Sequence, residues 1–199
     1  MEPQQQGMKI IIASPSLNLL GGAQRACLHA IKAVRRTNCR LVLATIDKTN
    51  WALVGTIFGE TSKPDEELYL FSRMPEMPTL ALKQALVALS YALLLFIITK
   101  KNKTSLVINM GGEVVDNLGN IVYINAIPLR LMHLFPDTQP KPGIQWKIYS
   151  RLYSMFLILL GDDAGTIVAN SKFNQSVIKK FLGKSALVVN PPVISCRIL

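Results

Sequence analysis

Short, almost wholly apolar runs alternate along the chain with stretches of helical period. Seven runs read as strands: 9–13 (KIIIA), 40–45 (RLVLAT), 68–71 (LYLF), 106–110 (LVINM), 121–125 (IVYIN), 166–169 (TIVA) and 186–190 (ALVVN). Between them, apolar positions at three- and four-residue spacing predict helices over 22–36, 79–99, 145–160 and 172–182, with a shorter one over 51–58. Strands that are apolar throughout, with no polar alternation, are those covered on both faces. The pattern therefore predicts an α/β domain: a Rossmann-like three-layer arrangement with a mainly parallel sheet. Stretches rich in Pro, Gly and charge at 59–67, 72–78 and 135–143 read as loops. A single domain over 8–193 accounts for the pattern, with a polar tail at 1–7 before it and a short segment at 194–199 after it.

The greasiest stretch is 80–99 (LALKQALVALSYALLLFIIT), where Leu82, Leu86, Leu89, Leu93 and Ile97 form a helical stripe and the remaining faces are also apolar. Lys83 and Gln84 interrupt it, and the uncharged run from Ala85 to Thr99 is shorter than the roughly 20 residues of a spanning helix. Three readings remain for it: a buried core helix, a helix dipping into one lipid leaflet, or a span.

Composition narrows the class. The 199 residues are 50% hydrophobic and 17% charged, which excludes a disordered chain. With 22 Lys+Arg against 12 Asp+Glu the formal charge is +10, which favours an anionic partner. The cations are scattered, with short clusters at Arg35–Arg36, at Lys100, Lys101 and Lys103, and at Lys179–Lys180, and no aromatic RNA-binding pattern accompanies them, so nucleic acid is not the expected partner. An anionic membrane surface suits the greasy, basic balance better, and a solvated basic surface explains it equally. Trp146, Lys147 and Arg151, at the start of the predicted helix 145–160, have an interfacial pattern that also suits an ordinary helix end. The tail MEPQQQG lacks the basic start and apolar core of a signal peptide, and the three cysteines, Cys27, Cys39 and Cys196, form no metal-binding or disulfide pattern. The expectation is a cytoplasmic protein, peripherally associated with membrane, without a metal or bound cofactor.

Candidate chemistry gathers where strands end. Gly21–Gly22 follows the first strand and opens a helix, where free amides and the helix dipole favour phosphate; a ligand-free tight turn is the plain alternative. The dinucleotide fingerprint G-x-G-x-x-G and the phosphate loop G-x-x-x-x-G-K-[ST] are both absent, which excludes the main hydride-transfer and NTPase signatures. Gly111, Gly112 and Glu113 end the strand 106–110, and Asn125 ends 121–125; in open parallel sheets ligands bind in the crevice at this edge. A solvated loop carboxylate is the more common reading of Glu113, and Asn125 is equally readable as a turn residue. His29 is expected to point away from the core, while His133, without an acid or serine in motif spacing, reads as a packed or surface residue. Asp162–Asp163 reads as a solvated turn.

Four segments, in order, resemble the N-terminal domain of glycosyltransferase family 4, the acceptor-binding half of a GT-B fold. KIIIASPSLNLLGGAQRA resembles the first strand and its G-G-[AG]-E loop. LVINMGGEVVDNLGNIVYINAIP resembles the D-V-V-I … I-x-Y-x-H-x-P stretch of members acting on lipid carriers. TIVANSKFNQSVIKKFLG resembles V-A-N-S-x-[FW] … I, and VVNPPV resembles the linker V-x-Y-P-P-V-D. The resemblance implies a retaining transferase that takes a sugar from a nucleotide-sugar to a lipid-linked acceptor. Gly21 and Gly22 would contact the donor phosphates; Gly111, Gly112, Glu113, Asn125, Asn170 and Ser171 would line the acceptor crevice; Pro191–Pro192 would be the interdomain hinge. The family's donor-binding second domain would have to come from another chain or a longer parent chain. Two positions depart from the pattern: Gln24 stands where the family has Glu, and Asn125 where lipid-acceptor members have His. An amide can hold a hydroxyl but cannot exchange a proton near neutral pH. A module that keeps the fold without the chemistry is the competing expectation.

Overall fold

The computed structural model describes residues 8–59, 61–134 and 144–192. The tail 1–7, the loop expected over 135–143, and residues 193–199 lie outside them, as do the side chains of His133, Trp146 and Lys147. Seven strands form one sheet: β1 Lys9–Ala13, β2 Arg40–Asp47, β3 Glu66–Phe71, β4 Leu106–Asn109, β5 Leu118–Ile124, β6 Asp163–Ala169 and β7 Leu187–Val188. Five α-helices alternate with them: α1 Gly22–Val34, α2 Trp51–Phe58, α3 Leu80–Lys101, α4 Ile144–Leu159 and α5 Lys172–Leu182, with a 3₁₀ helix at Leu129–Leu134. The strand order is β3-β2-β1-β4-β5-β6-β7, and every pairing is parallel. The expected Rossmann-like α/β fold is present, with the sheet parallel throughout.

The order dictates the layers. The chain builds outward from β1 to β3, crosses back to β4, then builds outward the other way, so right-handed crossovers put the two helix sets on opposite faces. Ile10, Ile12, Leu41 and Leu43 pack against Cys27 and Ile31 of α1 and Val54 of α2. On the other face Ile11, Val42, Ala44 and Val107 pack against Tyr91 and Leu95 of α3 and Tyr153 and Leu157 of α4. In register, Ala13 stands beside Asn109 and Asn109 beside Val122, so the cluster of Val122, Ile124 and Ile167 with Ile178 of α5 lies on that same face. The reversal between β1 and β4 leaves a crevice at their carboxyl ends.

Local chemistry sets the boundaries. The Thr79 hydroxyl accepts from the Leu82 amide at 3.2 Å to start α3, and Ser171 accepts from the Asn174 amide at 3.2 Å to start α5. Gly183, at φ 66°, ends α5 in the left-handed conformation. Strands β3, β5 and β6 each begin earlier than their apolar runs. Glu66 and Glu67 are strand residues whose carboxylates are held by Arg40 at 2.9 Å and by the Thr49 amide at 2.7 Å, so charge hides the start of β3. In β5, Leu118-Gly119-Asn120 lacks β-branched residues, yet Asn120 accepts from the Val107 amide at 2.7 Å. Strand β6 extends back to Asp163 beside it, and a Cβ on Gly165 would stand 2.3 Å from the Asn120 carbonyl oxygen.

The stripe read along 80–99 faces outward. Leu82, Leu89, Leu93 and Ile97 are exposed, while Ala88, Tyr91, Ala92, Leu95 and Ile98 form the buried face. A helix apolar all round carries no periodic signal for which face turns inward, and small Ala88 and Ala92 let α3 approach the sheet closely. In α1, Arg25 and His29 are exposed as expected, and Gln24 and Leu28 are buried in addition to Ala26, Cys27 and Ile31. Burial pushes the Cys27 thiol up to about 12, so it is an inert core group.

Candidate functional site

The loop after β1 is tied down at both ends. Gln24 closes it: its Oε1 accepts from the Gly21 amide at 2.9 Å and its Nε2 donates to the Ser16 carbonyl at 3.1 Å. Asn18 hooks it to the loop after β2, donating from Nδ2 to Asp47 Oδ2 at 2.8 Å and the Lys48 carbonyl at 3.0 Å, and accepting from the Asn50 amide at 2.8 Å. Between these anchors Leu20 sits at φ 55°, an uncommon conformation for a leucine, and directly before the exposed Gly21–Gly22 pair. A Cβ on Gly22 would meet nothing within 4 Å, so this helix start opens to solvent with no acidic residue in its first turn. An exposed helix N-terminus of this kind is an electropositive docking point for an anion.

The amide at residue 24 is a requirement of this loop. A carboxylate there would keep the Gly21 bond but face the Ser16 carbonyl with no proton to give. Gln24→Glu is therefore expected to cost about 1–2 kcal/mol at neutral pH. The penalty shrinks as pH falls and the carboxyl gains a proton, which thermal melts across pH will show as convergence with the unsubstituted protein in acid.

The second cluster follows β4, β5 and β6. The Asn125 amide N–H donates to Glu113 Oε2 at 3.4 Å and its Nδ2 to the Met110 carbonyl at 3.3 Å. The Asn170 Nδ2 donates to the Asn125 carbonyl at 2.6 Å, while Asn170 Oδ1 accepts from Ser171 Oγ at 3.0 Å and from Asn174 Nδ2 at 2.7 Å. Glu113, Asn125, Asn170 and Ser171 are thus one hydrogen-bonded row along the carboxyl edge. Gly111 and Gly112 support it from beneath: both are buried, and their N–H groups are already given to Asn109 Oδ1 at 2.9 Å and the Tyr123 carbonyl at 3.0 Å. They bring the chain past Pro15 and Tyr123 at backbone distance and present no donor to the crevice.

Burial pushes the Glu113 carboxyl above the usual carboxylate range, with the Asn125 backbone and side chain pulling partly back. For such a group the unfolded chain ionises first, so stability is lost as pH rises from the unfolded pKa through the folded one. Glu113→Gln, which keeps an acceptor for Asn125, is expected to raise the Tm at pH ~7.5 and leave it unchanged at about pH 3, where the wild-type carboxyl is protonated in both states. A partly exposed carboxylate held at a stability cost in a crevice suits a role toward a ligand.

Beside these lies a cleft of about 790 Å³ at the carboxyl ends of β2 and β3, lined among others by Asn18, Asp47, Lys48, Ser72, Arg73 and Lys83. Asp47 Oδ1 is buried there without a protein hydrogen-bond partner, as is Oγ1 of nearby Thr49, which does not line the cleft. Asp47 escaped the sequence reading because it lies just beyond a strand run and belongs to no motif, and Asn18 and Asn109, though inside segments that carry the resemblance, were given no role there; a polar side chain closing an apolar strand was the available signal for Asp47 and Asn109. Lys100, Lys101 and Lys103 are on the opposite, amino-terminal edge, where Lys100 pairs with Asp163 at 2.7 Å. Arg151 is exposed on α4, and Pro191–Pro192 is exposed just beyond β7, at the crevice edge, where Tyr123 Oη donates to the Val189 carbonyl at 3.1 Å. Among the described residues no group of three or more His, Cys, Asp or Glu side chains is placed to hold a metal.

The sequence matches no known family model and no curated protein. What stands is a seven-stranded, all-parallel, Rossmann-like α/β domain with its polar loops gathered at one sheet edge.

Proposed function

We propose that this chain is the acceptor-side domain of a retaining glycosyltransferase with GT-B architecture. It would act on a nucleotide-sugar donor and a lipid-linked acceptor, with a donor-binding domain supplied by another chain or by a longer parent chain. The observation that carries the reading is the pairing of an open Gly21–Gly22 helix start with the Glu113–Asn125–Asn170–Ser171 row across the β1/β4 reversal. Sugar transfer needs donors for a departing diphosphate and a hydroxyl held in line. The amides at the start of α1 suit the first need. The crevice row and the neighbouring cleft suit the second, with Asp47, Lys48 and Lys83 as contacts for the acceptor's head group.

Asn125 favours a second reading, a binding module without chemistry. Its side chain is occupied by the Met110 carbonyl, and no titrating base replaces it at that position. The two are separated by transfer of radiolabelled sugar from GDP-mannose or UDP-glucose to polyprenyl-phosphate-linked acceptors in liposomes. Transfer when a donor domain is added, and its loss in Gly21→Val, supports the transferase; no transfer in any mixture supports the module.

A further inference from the structure

The faces of α3 and α4 turned away from the sheet carry large apolar side chains over 82–97 and 152–159. Leu82, Leu89, Leu93 and Ile97 are 52, 45, 49 and 37% exposed, and Leu152, Met155, Ile158 and Leu159 are 61, 61, 69 and 83% exposed. Both helices bury their opposite faces in one cluster on the same side of the sheet, through Tyr91, Leu95 and Ile98 of α3 and Tyr153 and Leu157 of α4. The exposed stripes therefore look outward from one layer. Isolated surface leucines need no explanation, but eight large apolar side chains on two helices of one layer do.

Charge says what covers them. Neither helix contains an Asp or a Glu, and together they carry Lys83, Lys100, Lys101, Lys147 and Arg151. Lys83, Lys101 and Arg151 are exposed and, among the described residues, make no ion pair. The acids just beyond α4 are already neutralised, Asp162 by Lys184 at 2.6 Å and Asp163 by Lys100 at 2.7 Å. A second copy meeting this face would set like charges against each other in a chain of net charge +10. A surface of lipid phosphates would neutralise them.

We propose that the outer faces of α3 and α4 dock the protein on an anionic lipid leaflet, the leucines entering the acyl boundary and Lys83, Lys101 and Arg151 lying at phosphate level. Helix α3 is long and apolar enough to cross a membrane, but its Ala88, Tyr91, Ala92, Leu95 and Ile98 face is committed to the core, so it lies along the leaflet. Both helices start at the carboxyl edge of the sheet, which sets the crevice beside the leaflet. The docking goes beyond the transferase reading and does not rest on it, because binding is read without any sugar donor.

Flotation with vesicles of phosphatidylcholine alone or mixed equally with phosphatidylglycerol tests this. The protein is expected to float with the mixed vesicles about tenfold more than with phosphatidylcholine, an advantage lost at high salt. Leu89→Ser with Leu93→Ser is expected to reduce that binding about tenfold with an unchanged Tm, since both side chains are exposed. Lys101→Glu with Arg151→Glu is expected to abolish the preference for anionic lipid. Equal binding of the leucine variant, or no preference for the mixed vesicles, overturns the proposal. So does a lipid-free dimer that the leucine variant dissociates, which gives the face to a second copy, or resistance to alkaline carbonate extraction, which makes α3 a span.

Discussion

Asn109→Ala is expected to destabilise the protein by about 4 kcal/mol, lowering the Tm by roughly 8–16 °C for a chain of this size. Asn109 is fully buried at the end of β4 and uses its whole amide. Its Nδ2 donates to the carbonyls of Val115 at 2.6 Å and Leu118 at 3.0 Å; its Oδ1 accepts from Tyr91 Oη at 2.8 Å and the Gly111 amide at 2.9 Å. Alanine orphans a hydroxyl, an amide and two carbonyls at once, each in a place water does not reach, so the loss exceeds that of one ordinary hydrogen bond. Asn109→Asp is the sharper control. It keeps both acceptor contacts and turns the two donor contacts into repulsions with carbonyl oxygens, so it is expected to be at least as damaging as alanine at neutral pH and milder in acid. Denaturant unfolding of the three proteins at two pH values checks both statements. If alanine costs less than about 1.5 kcal/mol, the amide is not what holds the chain from Gly111 to Leu118 in place.

Gly112→Ala is the second large effect, expected at about 3 kcal/mol. A Cβ there would stand 2.7 Å from the Tyr123 carbonyl oxygen and 2.7 Å from Ile124 Cγ1, and the first of these is backbone in a central strand that cannot step aside. Gly111→Ala meets the Pro15 ring at 2.6 Å and the Tyr91 ring at 2.7 Å, a comparable obstruction by side chains with no room behind them. Gly22→Ala, where a Cβ meets nothing within 4 Å, is expected to change stability by less than about 0.5 kcal/mol. Thermal melts of the three variants thus sort the two glycine pairs. The second pair serves close packing beneath the crevice, while in the first pair Gly22 has room for a side chain. Sugar transfer by Gly22→Ala, at intact stability, then reports on the phosphate role proposed for the helix start.

This sorting bears on the site itself. The two glycine pairs look alike in sequence, each following a strand, the first suggesting a phosphate loop and the second a place in the ligand crevice. The first gives its Gly21 N–H to Gln24 Oε1 and leaves the Gly22 start of α1 facing solvent. The other spends both N–H groups inside the fold, on Asn109 and Tyr123, and its contribution to the crevice is to carry Glu113 into reach of Asn125.

The fold class was legible in the sequence because strand and helix periods differ and near-continuous apolar strands occur only where both sheet faces are covered. The positions of Glu113 and Asn125 at strand ends followed from the same pattern, Asn170 and Ser171 entered through the family resemblance, and the meeting of all four at one edge follows from parallel topology. The orientation of α3 was not legible. Its apolar residues surround the helix, so burial was decided by which side offered Ala88 and Ala92 for close approach, a matter of shape that hydrophobicity does not encode. Nor were Asn18, Gln24 and Asn109 assigned their partners, because each bonds atoms distant in space or in an adjacent loop, and a single sequence records residue types without recording which buried donor will face which acceptor. Periodicity is a local property and survives in the chain; the pairing of polar groups and the choice of outward face exist only once the layers have closed on one another.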